Sequence, residues 1–426
     1  MSAGQQGPDE LRRSLGQRDA VAIGMGSMVG AGLFAVWGPA TSAAGRWVLV
    51  ALAVAAVVAL CNALSSAALA ARYPSAGGTY VYGRERLGPR WGYLAGWCFV
   101  IGKTASCAAM ALTVGAYLVP EHARVVAVLA VLAVTGLNLL GVTRSARASE
   151  IVVAVVLTLV VALVVTAVLR LTGADGPLPG PTTATVDGGV LGVLEGAGLL
   201  FFAFAGYARI ATLGEEVRDP ARTIPRAVVI ALLAVAATYA VVGVLLLQVL
   251  GVAGTAGTAA ALSDVADRLW GSGASAVVAV VAAGAALGAL LNLLLGISRT
   301  GLAMARDGHL PSALTTTGAV RAVPWVAELC VATVVLAAVL VVDLRGAIGF
   351  SSFGVLLYYA VANASAWTLR GDWRWAATVP VVGLAGCLVL AVTLPLVSVV
   401  SGSAVLLAGL LGYAVTSRSG KPGGPD

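Results

Sequence analysis

The feature of this sequence that most restricts its fold is a series of about twelve apolar runs. A helix that crosses a bilayer needs about 20 apolar residues. The runs show no alternation of apolar and polar residues and are about twice as long as the strands of a membrane barrel. They therefore predict an all-α integral membrane protein of about twelve transmembrane helices. The runs are 20–45, 47–71, 91–119, 124–142, 150–169, 190–214, 227–251, 274–304, 323–342, 346–368, 376–396 and 398–416.

Composition excludes several classes of function. Only 11% of the residues are charged, whereas soluble proteins carry about 25%. The net charge of +7 does not indicate a nucleic-acid partner, because the arginines lie in short segments between the apolar runs. Two histidines, both outside the centres of the runs, provide no expected metal site, cofactor or catalytic residue. A membrane-embedded enzyme and a sensor are therefore only remote alternatives to a transporter.

Positive charges are distributed unequally between alternate loops. If the N-terminus is cytoplasmic, 19 of the 26 lysines and arginines fall in cytoplasmic segments and five in outer segments, while Lys103 and Arg209 lie inside runs. Cytoplasmic loops are enriched in Lys and Arg, so the pattern predicts both termini in the cytoplasm. Arginine almost replaces lysine, as in GC-rich bacterial genomes, which favours a bacterial cytoplasmic membrane.

Two runs contain segments that disfavour a continuous helix. The first run contains 24–32, GMGSMVGAG, and the sixth contains 201–207, FFAFAGY. Glycine costs about 1 kcal/mol in a helix relative to alanine. The first and sixth runs occupy corresponding positions if five helices are repeated with inverted topology. Interruptions at matching positions indicate a binding site near the middle of the bilayer.

Unwound backbone at these interruptions would suit a zwitterion. The N–H groups of Gly30, Ala31 and Gly32 would face a carboxylate at the positive end of a helix dipole. The carbonyls of Met28 and Ala205 would face an ammonium group. The spacing of Gly26 and Gly30 is equally typical of two closely packed helices. A third interpretation, the dinucleotide motif G-x-G-x-x-A at 30–35, is rejected because no strand precedes it.

Three polar residues inside runs are candidates for the site. Lys103 lies about 18 Å along its helix, near the bilayer centre, where a charge costs about 2.5–3.5 kcal/mol. We expect it to replace a coupling cation or to carry the coupled proton; the alternative is a structural lysine bonded to carbonyls near the first interruption. Arg209 would contact substrate, pair with a carboxylate at a gate, or extend to the interface. Asn292 would line the site or bond a neighbouring helix. Glu195 and Glu328, nearer span ends, are expected to be paired or interfacial.

Four ordered segments resemble the amino acid–polyamine–organocation (APC) superfamily. They are the run from Gly24 to Phe34, the segment PSAGGTYVY at 74–82 followed by Gly96-Trp97, the segment FFAFAGYARIATLGEEVRDPARTIP at 201–225, and ARDGHLP at 305–311 with Ala303-Met304 before it. The resemblance covers residues from about 20 to 312. It implies the leucine-transporter-type fold and an amino acid permease.

The resemblance also implies a domain organisation. Residues 1–18 would form a cytoplasmic tail, 19–171 a first repeat of spans 1–5, and 190–368 an inverted second repeat of spans 6–10. Spans 11 and 12 would occupy 375–417, and 418–426 would form a second cytoplasmic tail. Spans 1 and 6 would be discontinuous. The substrate-binding residues implied in this way, together with those from the interruptions, are Ser27, Met28, Gly30, Ala31, Gly32, Phe202, Phe204, Ala205, Gly206 and Ala208.

The expected function is secondary active transport of an amino acid or related zwitterion, by proton symport or by exchange. The partners are therefore a small amino-acid-like substrate, a proton or counter-substrate, and the lipid bilayer. Ala208 stands where family members usually have an acidic residue, and Val156 or its neighbour where proton-coupled members have a lysine. A polyamine or organic-cation antiporter is the alternative within the superfamily. It would need several carboxylates at mid-bilayer depth, and none is evident in the sequence.

Overall fold

The computed structural model describes residues 15–30, 32–73, 77–141, 146–172, 188–211, 216–318, 323–369 and 377–419. The predicted site residue Ala31, the motif residues 74–76, residues 1–14 of the first predicted tail and residues 420–426 of the second lie outside these ranges.

The α-helices of the described residues are α1 Gln17–Val29, α2 Gly32–Ala35, α3 Trp37–Ala44, α4 Val48–Arg72, α5 Thr79–Leu87, α6 Pro89–Leu118, α7 Ala123–Leu139, α8 Ala146–Thr172, α9 Gly189–Phe204, α10 Ala208–Ala211, α11 Pro220–Val249, α12 Gly251–Ala256, α13 Ala261–Trp270, α14 Ser275–Arg306, α15 Trp325–Val341, α16 Leu344–Trp367, α17 Val379–Thr393 and α18 Leu396–Ser419. Short 3₁₀ turns lie at Gly45–Trp47, Pro120–His122, Ala205–Tyr207 and Ser312–Thr315.

Several helix starts follow from local sequence. Pro89 and Pro220 occupy the first positions of α6 and α11, where the missing N–H of proline costs nothing. Gly88, between α5 and α6, has a φ of 102°, a conformation that glycine adopts without strain. It turns the chain from the short helix α5 into the long helix α6.

Nine helical stretches of the described residues are long and apolar enough to cross a membrane. Two shorter apolar helices, Trp325–Val341 and Val379–Thr393, accompany them. The chain is thus a multi-pass membrane protein, as predicted. The stretches are Trp37–Arg72, Pro89–Leu118, Pro120–Leu139, Arg147–Arg170, Gly189–Ile210, Pro220–Val249, Ser275–Arg306, Leu344–Trp367 and Leu396–Ala414.

Burial separates the central helices from the peripheral ones. In α6 and α16, 83% of the most apolar window is buried, whereas only 17% is buried in Leu396–Ala414. The two central helices approach closely, because a Cβ added at Gly354 would lie 2.8 Å from the Gly102 Cα. Near this crossing, the Ser106 and Ser351 hydroxyls are 2.6 Å apart. The residue after Gly102, Lys103, is therefore held on a closely packed helix.

The first predicted span corresponds to α1, α2 and α3 together. The segment between the seventh and eighth predicted spans contains two helices, α12 and α13, that the apolar runs did not predict. The total of twelve spans and the division into inverted repeats remain predictions.

Candidate functional site

The first predicted interruption coincides with the end of α1. That helix ends at Val29, and Gly30 has φ −55° and ψ −88°, outside the helical range. Helix resumes at Gly32 in the short element α2. Within α1, the Ser27 hydroxyl donates to the Ile23 carbonyl at 2.8 Å. The hydroxyl of this predicted site residue thus forms its hydrogen bond within its own helix.

The second predicted interruption is a 3₁₀ turn rather than an open loop. α9 ends at Phe204, residues Ala205–Tyr207 form the turn, and α10 begins at Ala208. The Ala205 N–H donates to carbonyls of the preceding helical turn. A 3₁₀ turn has tighter hydrogen bonding than an α-helix, so the regular α-helical pattern is broken at this point.

Glycines bring the two interruptions into contact. A Cβ added at Gly206 would lie 2.5 Å from the Ser27 carbonyl carbon and oxygen. A Cβ added at Gly32 would lie 2.7 Å from the Ala203 Cα. Real Cβ atoms essentially never approach other atoms so closely. These glycines therefore let backbone pack directly on backbone.

Glycines of α1 also serve helix packing elsewhere. A Cβ at Gly26 would lie 3.2 Å from the Ser149 Cβ, and one at Gly30 would lie 2.9 Å from the Ala289 Cβ. The packing interpretation of Gly26 and Gly30 thus has direct support from the contacts of α1 with α8 and α14. It does not exclude the unwinding interpretation, because the helix also ends at Val29.

Tyr239, on α11, links the two interrupted helices. Its hydroxyl lies 2.8 Å from the Met28 carbonyl and 3.1 Å from the Ala203 carbonyl. The side chain is fully buried, and the Phe204 ring packs on it edge-on with ring centroids 5.2 Å apart. The Met28 carbonyl, predicted to face a substrate ammonium group, thus already has a donor from within the chain.

Lys103 contacts the second interruption. Its Nζ donates to the Ala205 carbonyl at 3.1 Å, and the residue is only 6% exposed. Ala205 was the other predicted carbonyl partner of a substrate ammonium group. The ammonium of Lys103 therefore occupies a position where the sequence predicted a ligand's ammonium.

The remaining predicted site residues differ in burial and in their partners. Phe202 and Ala208 are each 7% exposed at the interruption of α9. Asn292 is half-buried in α14, and its side chain forms no hydrogen bond with any described residue. Arg209 lies 3.7 Å from the Glu216 carboxylate, and both side chains are partly exposed. Of the three expectations for Arg209, pairing with a carboxylate matches this placement best.

Two further contacts tie the ends of the interrupted helices. The Leu15 N–H donates to the Glu216 carbonyl at 3.1 Å, and the Arg218 N–H donates to the Leu15 carbonyl at 2.9 Å. This backbone pairing joins the start of α1 to the segment before α11.

At the other end of α9, Arg345 on α16 forms an ion pair with Glu195. It also donates to the Ser42 hydroxyl of α3 at 3.2 Å. These two contacts connect α9 and α3 to the central helix α16. Glu195 is thus paired, which is one of the two placements that the sequence left open.

A polar and aromatic cluster lies at the end of α14, outside the spans. The Tyr80 hydroxyl donates to the Asp307 carboxylate, to which Arg84 also donates at 3.1 Å. His309 Nδ1 lies 3.0 Å from the same hydroxyl. Burial lowers the pKa of His309; the Asp307 carboxylate opposes this shift and the Arg84 guanidinium adds to it. Burial, followed by the bond to Asp307, raises the pKa of Tyr80.

The sequence did not identify Tyr239 as a functional candidate. The available signal was a single tyrosine, flanked by threonine, within the apolar run at 227–251. Such a residue is as typical of a helix core as of a polar site. Only the contact with two distant carbonyls distinguishes the two.

Comparisons with known proteins identify the family of this chain. The family model described as amino acid permease matches residues 15–414. An uncharacterised transporter of Mycobacterium tuberculosis is 58% identical, over 96% of this chain and 92% of its own length. The branched-chain amino acid permease of Bacillus subtilis is 26% identical, over 76% and 74% of the two chains. A vacuolar cationic amino acid transporter of Arabidopsis thaliana is 30% identical, over 85% and 64%.

Proposed function

Because the chain belongs to the amino acid permease family of the APC superfamily, we propose that it moves an amino acid or closely related zwitterion by alternating access. Family membership makes it a transporter and not an enzyme. The proposed site lies between the interruptions of α1 and α9. Its support is the direct contact of Gly206 with Ser27 and the link that Tyr239 forms between both helices.

The proposed architecture is a five-plus-five inverted repeat with two further helices, twelve spans in all, and both termini in the cytoplasm of a bacterial membrane. The interruption of the first and sixth predicted spans, at α1–α2 and α9–α10, supports the repeat. Spans interrupted at matching positions are typical of transporters with inverted repeats. The unequal distribution of arginine supports the orientation.

Coupling is assigned to Lys103, on the observation that its ammonium donates to the Ala205 carbonyl in a buried site. A carbonyl that holds one ammonium group has less capacity for a second. In the proposed mechanism Lys103 releases its proton to water and leaves this carbonyl, which then accepts from the substrate ammonium group. Proton and substrate thus bind in alternation, which is the coupling of an exchanger. Lysine is suited to this role because its proton can be released in a desolvated site, whereas arginine stays protonated.

The test replaces Lys103 with methionine, which keeps the length of the side chain and removes its charge. Purified protein in proteoliposomes is assayed for substrate uptake against a gradient, with and without a pH gradient. We expect the variant to bind and exchange substrate but to lose concentrative, pH-driven uptake. The matched control is Thr104→Val, because the Thr104 hydroxyl bonds only its own helix, at the Val100 carbonyl.

Concentrative uptake by Lys103→Met that still follows the pH gradient would remove the coupling assignment. Loss of all binding in the variant would instead support the structural alternative, in which Lys103 only holds the turn at Ala205. The control separates either effect from a general disturbance of α6.

The side chain of the substrate is addressed by a thermal-shift screen with the twenty amino acids and small amines. The relatives include proteins named for branched-chain and for cationic amino acids, so both groups belong in the screen. A ligand that binds the folded state raises its stability by mass action. We expect a response to amino acids. A response confined to polyamines or other organic cations would favour the antiporter alternative.

A further inference from the structure

Glu328 is the one fully buried carboxyl group among the residues that the structure describes. It lies in the first turn of α15, and its side chain has 0% exposure. A buried carboxylate without a cationic partner is costly, so such a group pairs with a cation or becomes neutral. No described lysine, arginine or histidine forms an ion pair with Glu328. The protonation state of this group therefore needs an explanation.

The hydrogen bonds of Glu328 give that explanation. The Asn138 Nδ2, on α7, donates to the Glu328 Oε1 at 2.6 Å. The other oxygen of each side chain, Glu328 Oε2 and Asn138 Oδ1, is buried and has no hydrogen-bond partner among the described residues. Both of these oxygens are acceptors if the carboxyl is ionised. Each of these two buried acceptors, on side chains that already bond each other, therefore lacks a donor.

The neighbouring helices supply few competing groups. From α14, the Ser298 hydroxyl faces the carboxyl and donates to the Leu295 carbonyl of its own helix at 3.0 Å. The charged or titratable groups that interact with Glu328 are the exposed Arg299 on α14 and the Cys107 thiol on α6. From α7, the charged side chain in contact with α15 is Arg124, which donates to the Leu340 carbonyl at 2.9 Å, at the opposite end of α15 from Glu328. The 3₁₀ turn Ser312–Thr315 contains no titratable residue. The local surroundings therefore do not provide a paired cation.

We propose that Glu328 binds a proton and forms a cyclic carboxylic acid–amide pair with Asn138, which gives the protein a proton-binding site separate from Lys103. One added hydrogen on Oε2 converts that oxygen into a donor toward Asn138 Oδ1. The pair then has two hydrogen bonds, and neither oxygen remains without a partner. The proton comes from water and returns to water, so no other reactant takes part.

The site lies between α7, α14 and α15, and does not include the interrupted helices. Asn138 is in the last turn of α7 and Glu328 in the first turn of α15, which are the cytoplasmic ends in the proposed orientation. Proton release would leave a buried charge and break one of the two bonds. The site therefore makes the stability of this helix group sensitive to alkaline pH.

Infrared spectroscopy of the purified, full-length protein tests the proposal directly. Protein labelled with ¹³C-carboxyl glutamate is measured near pH 7.5. We expect the carbonyl band of one protonated, labelled carboxyl group in the wild type. Absence of that band in the wild-type protein overturns the proposal, and this result does not depend on making a variant. The band should disappear in Glu328→Gln and stay in Glu121→Gln, a control at an exposed carboxylate. A band that persists in Glu328→Gln would also overturn it.

Thermal unfolding gives an independent measurement. Glutamine presents the same donor and acceptor to Asn138 as the protonated acid does. Glu328→Gln should therefore unfold within a degree or two of the wild type at pH 7, and should lose less stability than the wild type between pH 7 and pH 9. A variant much less stable than the wild type at pH 7, with an unchanged pH profile, would indicate an ionised Glu328. Neither measurement involves substrate, so its outcome is independent of the transport proposal.

Discussion

Replacing Gly206 with alanine tests whether the two interrupted helices depend on direct backbone contact. The added methyl group would lie 2.5 Å from the Ser27 carbonyl carbon and oxygen and 2.7 Å from the Met28 nitrogen. These are backbone atoms, so no side-chain rotation relieves the overlap. Since ordinary contacts begin at 3.4 Å, α1 and the turn at Ala205 must separate by about 0.9 Å.

Overpacking of a buried contact costs about 1–3 kcal/mol. If the cost falls on the conformation in which the helices touch, the population of that conformation decreases by about 5- to 150-fold relative to its alternatives. We therefore expect Gly206→Ala to lower the transport rate at least five-fold and to lower the melting temperature of the purified protein. Transport in proteoliposomes and thermal unfolding measure the two effects.

Gly284→Ala is the matched control, because Gly284 lies in α14 with no atom within 4 Å of the added methyl group. Alanine in an open helical position should stabilise the protein by up to about 1 kcal/mol. The pair of variants makes the same chemical change in opposite surroundings. Wild-type transport and stability in Gly206→Ala would refute the reasoning, since the backbone contact would then carry no free energy.

Three further predictions follow from contacts around the site. Tyr239→Phe should destabilise the protein by about 1–3 kcal/mol in chemical unfolding, because the one hydrogen that the hydroxyl shares between two buried carbonyls is lost; an unchanged unfolding midpoint would show that water replaces the hydroxyl. Glu195→Gln should weaken the partly exposed pair with Arg345 by at most about 1 kcal/mol, and should raise transport rates if opening of the outer side is limiting, as initial-rate assays would reveal. Burial lowers the pKa of His309, so the folded state takes up its proton less readily than the unfolded state, and stability is lost as pH falls below about 6.5. The melting temperature of His309→Gln should accordingly fall less than that of the wild type between pH 7 and pH 5; equal falls would contradict this.

The sequence predicted the interrupted helices because their cause is local. Gly30 and Gly206 weaken helix formation wherever they occur, and their positions in the chain are visible without tertiary information. The membrane class was predictable for the same reason, since length and hydropathy belong to single segments. The 3₁₀ form of the second interruption was not predictable, because it depends on how Gly206 packs on Ser27.

Partners that lie far apart in the chain were not predictable. The sequence indicated that Glu195 would be paired or interfacial, but it could not name the partner, Arg345, which is 150 residues away. Helix α13 was missed because the search was for segments of spanning length, although its buried residues recur with helical spacing at Ala261, Leu262, Val265, Ala266 and Leu269. The sequence likewise could not show that the Met28 and Ala205 carbonyls already accept hydrogen bonds. Their donors, Tyr239 and Lys103, lie on the distant helices α11 and α6.

The hydroxyl of Tyr239 carries a single hydrogen and lies within bonding distance of two acceptors. If α1 moves away from α9, that hydrogen stays with the Ala203 carbonyl, and the total number of hydrogen bonds made by the tyrosine is unchanged. Met28 is then the residue whose carbonyl becomes available to an incoming ammonium group. Sharing one donor between two helices thus removes a penalty that would otherwise oppose their separation.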